Sequence, residues 1–321
     1  MNVGTMKPRT VAALGAAIAL VLSGCGGDEA PSSPGDGGDG GGEAASSELE
    51  GASLVVGAKE FTESQVLAQI TAAVLENAGA EIDETALSGS ATVREALESG
   101  EIDMYWEYTG TGWVNILGNT TEDVPEDLFA AVSEADAAND IAWLPAAPMN
   151  DTYRIAVKTD FAEAEGLATM SDAVGYIEDN PDDGVVCAAS EFINRDDGLP
   201  GLEEAYGFEF TEVVELDLGL IYTQVGGTCS FGEVFSTDGR IIANELTILE
   251  DDEAFFVDYN AALTMRQETL DEYPAIEELM APISEALTDE AITDLNARVD
   301  VDGETQEDVA RDWLEENGLL G

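Results

Sequence analysis

From residue 53 to about residue 235 the chain alternates short apolar runs with amphipathic stretches, and this rhythm restricts the fold more than any other property of the sequence. Ser53–Gly57 reads as a short buried strand. Thr62 and Gln65 then form a capping box, and Val66, Leu67, Ile70 and Val74 line one face at spacings of three and four. A strand is expected around 81–87, and a helix from Thr92 to Gly100. In 101–113, Ile102, Met104, Trp106 and Tyr108 alternate with polar residues, a period of two. Further strands are expected at 152–157, 184–189, 212–216 and 230–235, with helices at 171–178, 192–206 and 218–225. Alternation on this scale means an α/β architecture with a largely parallel sheet. After about residue 260 helices are expected at 268–288, with Pro274 and Pro282 as breaks, and at 289–298 and 305–318.

The charge excludes several classes of function. The 321 residues hold 68 acids against 11 lysines and arginines, a formal charge of −57. No basic patch exists to meet phosphate, so nucleic acid is not a partner. Such a surface suits salty surroundings, where screening relieves the self-repulsion. The chain has no histidine. That removes Ser-His-Asp and Cys-His catalysis and histidine metal sites, and neither a metal nor a cofactor is expected. Close carboxylate pairs arise by chance among so many acids and single out no catalytic pair.

The N-terminus reads as an address. Lys7 and Arg9 precede an apolar run from Val11 to Leu22, the length of a signal h-region. Leu22-Ser23-Gly24-Cys25 resembles a bacterial lipobox. It implies a signal peptide over 1–24, acylation of Cys25 and a lipid anchor at the outer face of the cytoplasmic membrane. Residues 25–51 are rich in Gly, Ser, Pro and acid and read as a flexible tether. Cys187 and Cys229 remain, either as one disulfide or as two buried thiols.

Beyond residue 24 the chain has two lysines, and one of them, Lys59, directly follows the first strand. A sequence so sparing of surface lysine points this one inward. Tyr108 and Thr111 fall at a strand end among glycines, and Tyr153 opens a strand. Arg195 lies between a strand and a helix, either as a fork for a carboxylate or as partner of Asp196 or Asp197. Phe235 and Tyr259 mark further strand ends. Read singly, each ring fits a core position. Read together, rings and cations at the mouths of two α/β halves suit a small zwitterion. Aromatic faces hold a quaternary ammonium, which has no N–H to donate, and Lys59 and Arg195 meet a carboxylate.

The runs GAKEFTES, SGEIDMYWEYTGTGW, NDTYRIAV, EFINRDDGLPGLEEAYG, LGLIYTQV, FSTDGRI and FFVDYNAA occur in this order. In this the sequence resembles the glycine betaine/choline/proline-betaine substrate-binding proteins of ABC importers, over about residues 52–320. The resemblance implies a two-lobed periplasmic-binding-protein fold of type II, with the ligand in the interlobe cleft. Lobe 1 would comprise 52–152 plus 259–321, and lobe 2 would comprise 153–258. The family's aromatic cage carries onto Tyr108, Tyr153 and Tyr259. Its fourth ring, usually a tyrosine, is Phe235 here. Carboxylate contacts carry onto Lys59, Thr111 and Arg195, and Asp151 matches an acid beside the cage.

The expected function is therefore capture of glycine betaine or a related osmoprotectant, and delivery to a membrane permease, by a monomeric lipoprotein. The alternatives are a choline-specific binder, a sensor built on the same fold, or an exported hydrolase using two carboxylates.

Overall fold

The computed structural model describes residues 48–320. The expected signal peptide, Cys25 and most of the expected tether lie outside the described residues. Leu49, near the end of that tether, is already buried, and its N–H donates to Ala78 O, so core packing begins there.

Among the described residues, ten strands form two sheets. The first contains β1 (Ser53–Lys59), β2 (Glu81–Leu87), β3 (Met104–Tyr108), β4 (Ile141–Trp143) and, from near the other end of the chain, β10 (Ala261–Arg266). The second contains β5 (Tyr153–Lys158), β6 (Val185–Ala188), β7 (Glu212–Glu215), β8 (Phe231–Phe235) and β9 (Leu246–Ile248). The orders are β2-β1-β3-β10-β4 and β7-β6-β8-β5-β9. The largely parallel sheet expected from the alternation is corrected: both sheets are mixed. The βαβ units pair in parallel, but β10 runs antiparallel to β3 and β4, and β5 runs antiparallel to β8 and β9. The antiparallel partners belong to the two places where the chain passes between sheets. There it enters a sheet without a crossover helix, so nothing forces parallel pairing.

Three helix expectations are corrected as well. The expected helix 192–206 is two helices, Ser190–Asn194 and Leu199–Tyr206. Gly198 splits them: a Cβ there would lie 2.2 Å from Phe192 O, so only glycine lets the second helix start so close to the first. Strand β10 occupies a tail read as mostly helical. The expected helix 268–288 breaks at Tyr273–Pro274 but runs unbroken past Pro282, as Gln267–Glu272 and Ala275–Ala286.

The helix Thr62–Asn77 buries Val66, Leu67, Ile70 and Val74 against β1 and β2 on one side and the C-terminal helices Asp289–Asp300 and Gln306–Glu316 on the other. Trp106 on β3 is fully buried, and its Nε1 donates to Thr71 Oγ1 in that helix. In the second sheet Cys187 on β6 is joined to Cys229 by a disulfide, with Cα atoms 5.7 Å apart.

The two segments that pass between the sheets, 144–152 and 249–260, run side by side. Asn150 and Asn260 form an antiparallel bridge. Asp151 N–H donates to Tyr259 O, and Tyr259 N–H donates to Asn150 Oδ1.

Candidate binding site

The parallel strands of both sheets end at one cleft of about 740 Å³. This is where open α/β sheets bind ligands, because side chains and helix starts converge beyond the carboxyl ends of strands. Lys59 lies at the end of β1, Tyr108 at the end of β3 and Phe235 at the end of β8. Asp151, Tyr153 and Tyr259 come from the paired crossing segments or just beside them. All of these, with Thr111 and Arg195, line the cleft.

The rings form a continuous wall. Centroids are 6.1 Å apart for Tyr108–Phe61, 5.3 Å for Phe61–Phe235, 4.9 Å for Phe235–Tyr153 and 5.6 Å for Tyr153–Tyr259. Tilts of 35–40° make the first three pairs adjacent panels, and the last pair meets edge to face at 88°. Phe61 is a fifth ring that the sequence reading passed over, although it stands inside the GAKEFTES run. Tyr259 lies on bare backbone: a Cβ at Gly110 would sit 2.5 Å from its ring. Two of the three tyrosine hydroxyls are fixed by buried carboxylates. Tyr108 donates to Glu63 Oε1 at 2.8 Å, and Tyr259 donates to Asp197 Oδ2 at 2.6 Å.

The two cations reach this wall but are already partnered. Lys59 Nζ donates to Glu107 Oε1 at 2.6 Å and lies 5.2 Å from the centroid of Tyr108. The Glu107 carboxylate also accepts from the Tyr105 hydroxyl and the Tyr108 N–H. The Arg195 guanidinium lies 5.3 Å from the centroid of Tyr153. It grips Asp197 through Nε and Nη2, reaches Glu191 through Nη1, and donates from Nη2 to Thr111 Oγ1 at 3.2 Å. This leaves Nη1 with one N–H, and the Thr111 hydroxyl with its hydrogen, for an acceptor in the cleft. Burial works against charge on Asp197, yet the Arg195 contact holds its carboxyl below the usual range.

A second polar group underlies the wall. Thr237 Oγ1 lies 2.6 Å from both Glu63 Oε2 and Asp151 Oδ1. Asn296 Nδ2 donates to Glu63 Oε2 at 2.9 Å. Burial pushes the Glu63 and Asp151 carboxyls up, and the charge of Glu63 adds to the effect on Asp151. At the far end Glu233 is fully buried and accepts from Ala189 N–H. Burial pushes its carboxyl up to about 8.

The sheets also touch directly across the cleft. Ser90 donates to Glu191 from its hydroxyl and its backbone N–H, and Asn115 Nδ2 donates to Asp197 Oδ1. Sequence reasoning singled out none of Phe61, Glu63, Ser90, Glu191 or Thr237. All but Ser90 lie within runs it did notice, but nothing local marks a carboxylate whose partner is 101 residues away. Among the described residues no cluster of acids or cysteines is arranged to hold a metal.

Two mixed five-stranded α/β sheets, joined by paired crossing segments over a shared cleft, define a two-lobed periplasmic-binding-protein fold of type II. The chain belongs to the family described as the substrate binding domain of ABC-type glycine betaine transport systems, whose profile matches residues 52–316. It is 36% identical over 280 residues to a glycine-betaine-binding protein of Pseudomonas aeruginosa, covering 83% of this chain and 88% of that one. Apo YehZ of Escherichia coli superposes with a TM-score of 0.59 at 30% identity, over 83% of this chain and 99% of that one. Lactococcal OpuAC, closed on glycine betaine, shares the fold at a TM-score of 0.62 and 10% identity, over 84% of this chain and 97% of that one. The chain is therefore a substrate-binding protein of an ABC importer and not an enzyme. The family binds small quaternary-amine solutes outside the membrane and works with an ABC permease.

Proposed function

We propose that this protein captures glycine betaine or a close quaternary-ammonium relative, such as carnitine or choline, and presents it to a permease in the closed state. The observation that carries this reading is the five-ring wall, Tyr108, Phe61, Phe235, Tyr153 and Tyr259, built from both sheets over buried carboxylates. Each exposed cation–π contact contributes about 0.5–1 kcal/mol, rising to about 2 when water is excluded. Beside the rings, the free N–H of Arg195, the Thr111 hydroxyl and the remaining N–H groups of Lys59 receive the carboxylate. The lobes, 52–152 with 259–321 and 153–258, turn about the paired crossing segments, so ligand shifts the population toward closure. In this reading the protein is a monomer tethered through acylated Cys25. Its acidic surface fits a salty setting.

A choline preference is the second reading, and one observation favours it. Asp197 and Glu191 take most of the Arg195 fork, and Glu107 takes Lys59, which weakens any carboxylate grip.

Calorimetry with glycine betaine, choline and proline at high salt tests both. Micromolar or tighter binding of a quaternary amine, weakened at least tenfold in Tyr108→Ala and Phe61→Ala, is the expected result. Binding untouched by either change overturns the site assignment.

A further inference from the structure

Thr237 has one hydroxyl hydrogen, yet its Oγ1 lies 2.6 Å from a carboxylate oxygen of Glu63 and 2.6 Å from one of Asp151. One hydrogen cannot serve two acceptors, so one of these contacts needs a proton on the carboxyl side. Glu63 is already well supplied, by the Tyr108 hydroxyl at 2.8 Å and the Asn296 amide at 2.9 Å. Among the described residues, the only other hydrogen bond to the Asp151 side chain is from the Thr237 N–H, at 3.4 Å. These contacts favour the proton on Asp151, which would then donate to Thr237 Oγ1 while Thr237 donates to Glu63.

The surroundings leave this pair without a compensating cation. Asp238 faces Asp151 but is gripped by Arg240. Asp300 accepts from Thr62 and lies 3.4 Å from the same arginine. Lys59 is held by Glu107 on the far side of Tyr108. Tyr108 itself stays neutral, because burial and the Glu63 charge raise its phenol. Both carboxyls are nearly inaccessible, at 2% for Glu63 and 4% for Asp151, yet Asp151 borders the cleft beside the rings.

We propose that Thr237 couples Asp151 and Glu63 into a pair that carries one proton in the empty cleft and releases it to solvent when a quaternary ammonium enters, so that fixed positive charge is selected and binding is linked to proton release. This rests on the cation-binding reading of the cleft. A cation within about 4–6 Å lowers a carboxyl pKa by about 1–3 units. The neutral acid then becomes carboxylate, and its proton leaves to buffer. The entering charge meets two buried carboxylates where there had been one. A neutral isostere draws off no proton and gains none of this attraction.

The test is calorimetry of the full chain with glycine betaine at pH 7, in buffers of different ionisation enthalpy. The expected result is net release approaching roughly one proton per ligand, with affinity rising up to about tenfold per pH unit. Asp151→Asn, which is isosteric and neutral, and Thr237→Val abolish the release and flatten the pH slope. The uncharged carbon counterpart of choline, 3,3-dimethylbutanol, releases nothing. Betaine binding with no proton release, or with uptake, overturns this proposal alone. Failure of both betaine and choline to bind overturns the cation reading and the proposal together.

Discussion

Glu191, in the second sheet's lobe, places its carboxylate on the hydroxyl of Ser90 at 2.6 Å and on the Ser90 backbone N–H at 3.2 Å, at the start of the helix Ser90–Ser99 in the other lobe. No side chain of that helix's own end caps it. The cap comes from across the cleft, so in the proposed closing motion it would exist only while the lobes are together.

Ser90→Ala is therefore expected to weaken ligand affinity about tenfold without lowering the stability of the open form. A charge-assisted hydrogen bond is worth about 1.5–3 kcal/mol, and about 1.4 kcal/mol corresponds to a tenfold change. Small-angle scattering with and without ligand checks the cause, since the variant should hold a larger open fraction at the same ligand concentration. Acid should act the same way. Burial opposes charge on Glu191, but Lys59 and Arg195 hold its carboxyl below its ordinary 4.5. A depressed value means the contribution is present above 4.5 and is lost as pH falls through the folded value.

The pair Lys59–Glu107 is buried at the edge of the cleft, and removing one member leaves a bare charge. Lys59→Met is expected to cost about 3–5 kcal/mol in urea unfolding, and the double change Lys59→Met with Glu107→Gln to recover most of it. The double variant then isolates any part Lys59 plays toward ligand. Loss of betaine affinity with choline binding intact assigns it to the carboxylate, whereas equal binding of both by variant and wild type removes it from the site.

Glu233 gives the protein a calculable response to alkali. Its folded value of about 8 stands above the ordinary 4.5, so the folded state holds a proton that the unfolded state has lost between those limits. The stability this confers is complete below about 4.5 and gone by about 8, with a slope of at most about 1.4 kcal/mol per pH unit. Glu233→Gln stays neutral throughout. Subtracting its unfolding free energies from those of the wild type across pH 4 to 9 should isolate a falling curve, and a flat difference would remove Glu233 as its source.

Reduction of Cys187–Cys229 opens a loop of 42 residues. Chain entropy puts the loss at about 4 kcal/mol. The double change Cys187→Ala with Cys229→Ala should lower the urea-unfolding free energy of the second lobe by about that amount and leave the first lobe unaffected.

Much of this architecture was legible where one strand or helix carries its own pattern. The alternation of Ile102, Met104, Trp106 and Tyr108 marked β3, and spacings of three and four marked the helix Thr62–Asn77. Short and borrowed elements were not legible. β4 and β9 have three residues each, too few to show a period. β10 (AALTMR) shows no period of two because both its faces are buried, Thr264 included, and it leads straight into a helix, so it was absorbed into a helical tail. The site divides in the same way. Runs rich in aromatics and glycine pointed to the rings, and the poverty in lysine drew attention to Lys59. The partners of these residues were hidden by distance along the chain. Glu107 lies 48 residues from Lys59, and Thr237 lies 174 from Glu63. Among 68 acids, composition alone could not say which would be paired with which.

The bridge between Asn150 and Asn260 puts Asp151, Tyr153 and Tyr259 almost on the pivot, while Ser90 and Glu191 meet farther out. In the proposed reading, a solute seated there would work like a thumb pressed near the fulcrum of a pair of tongs. On that reading, a small tightening around its head group would become a larger sweep at the rim, so the travel a permease would sense is geared up from a small adjustment at the chemistry.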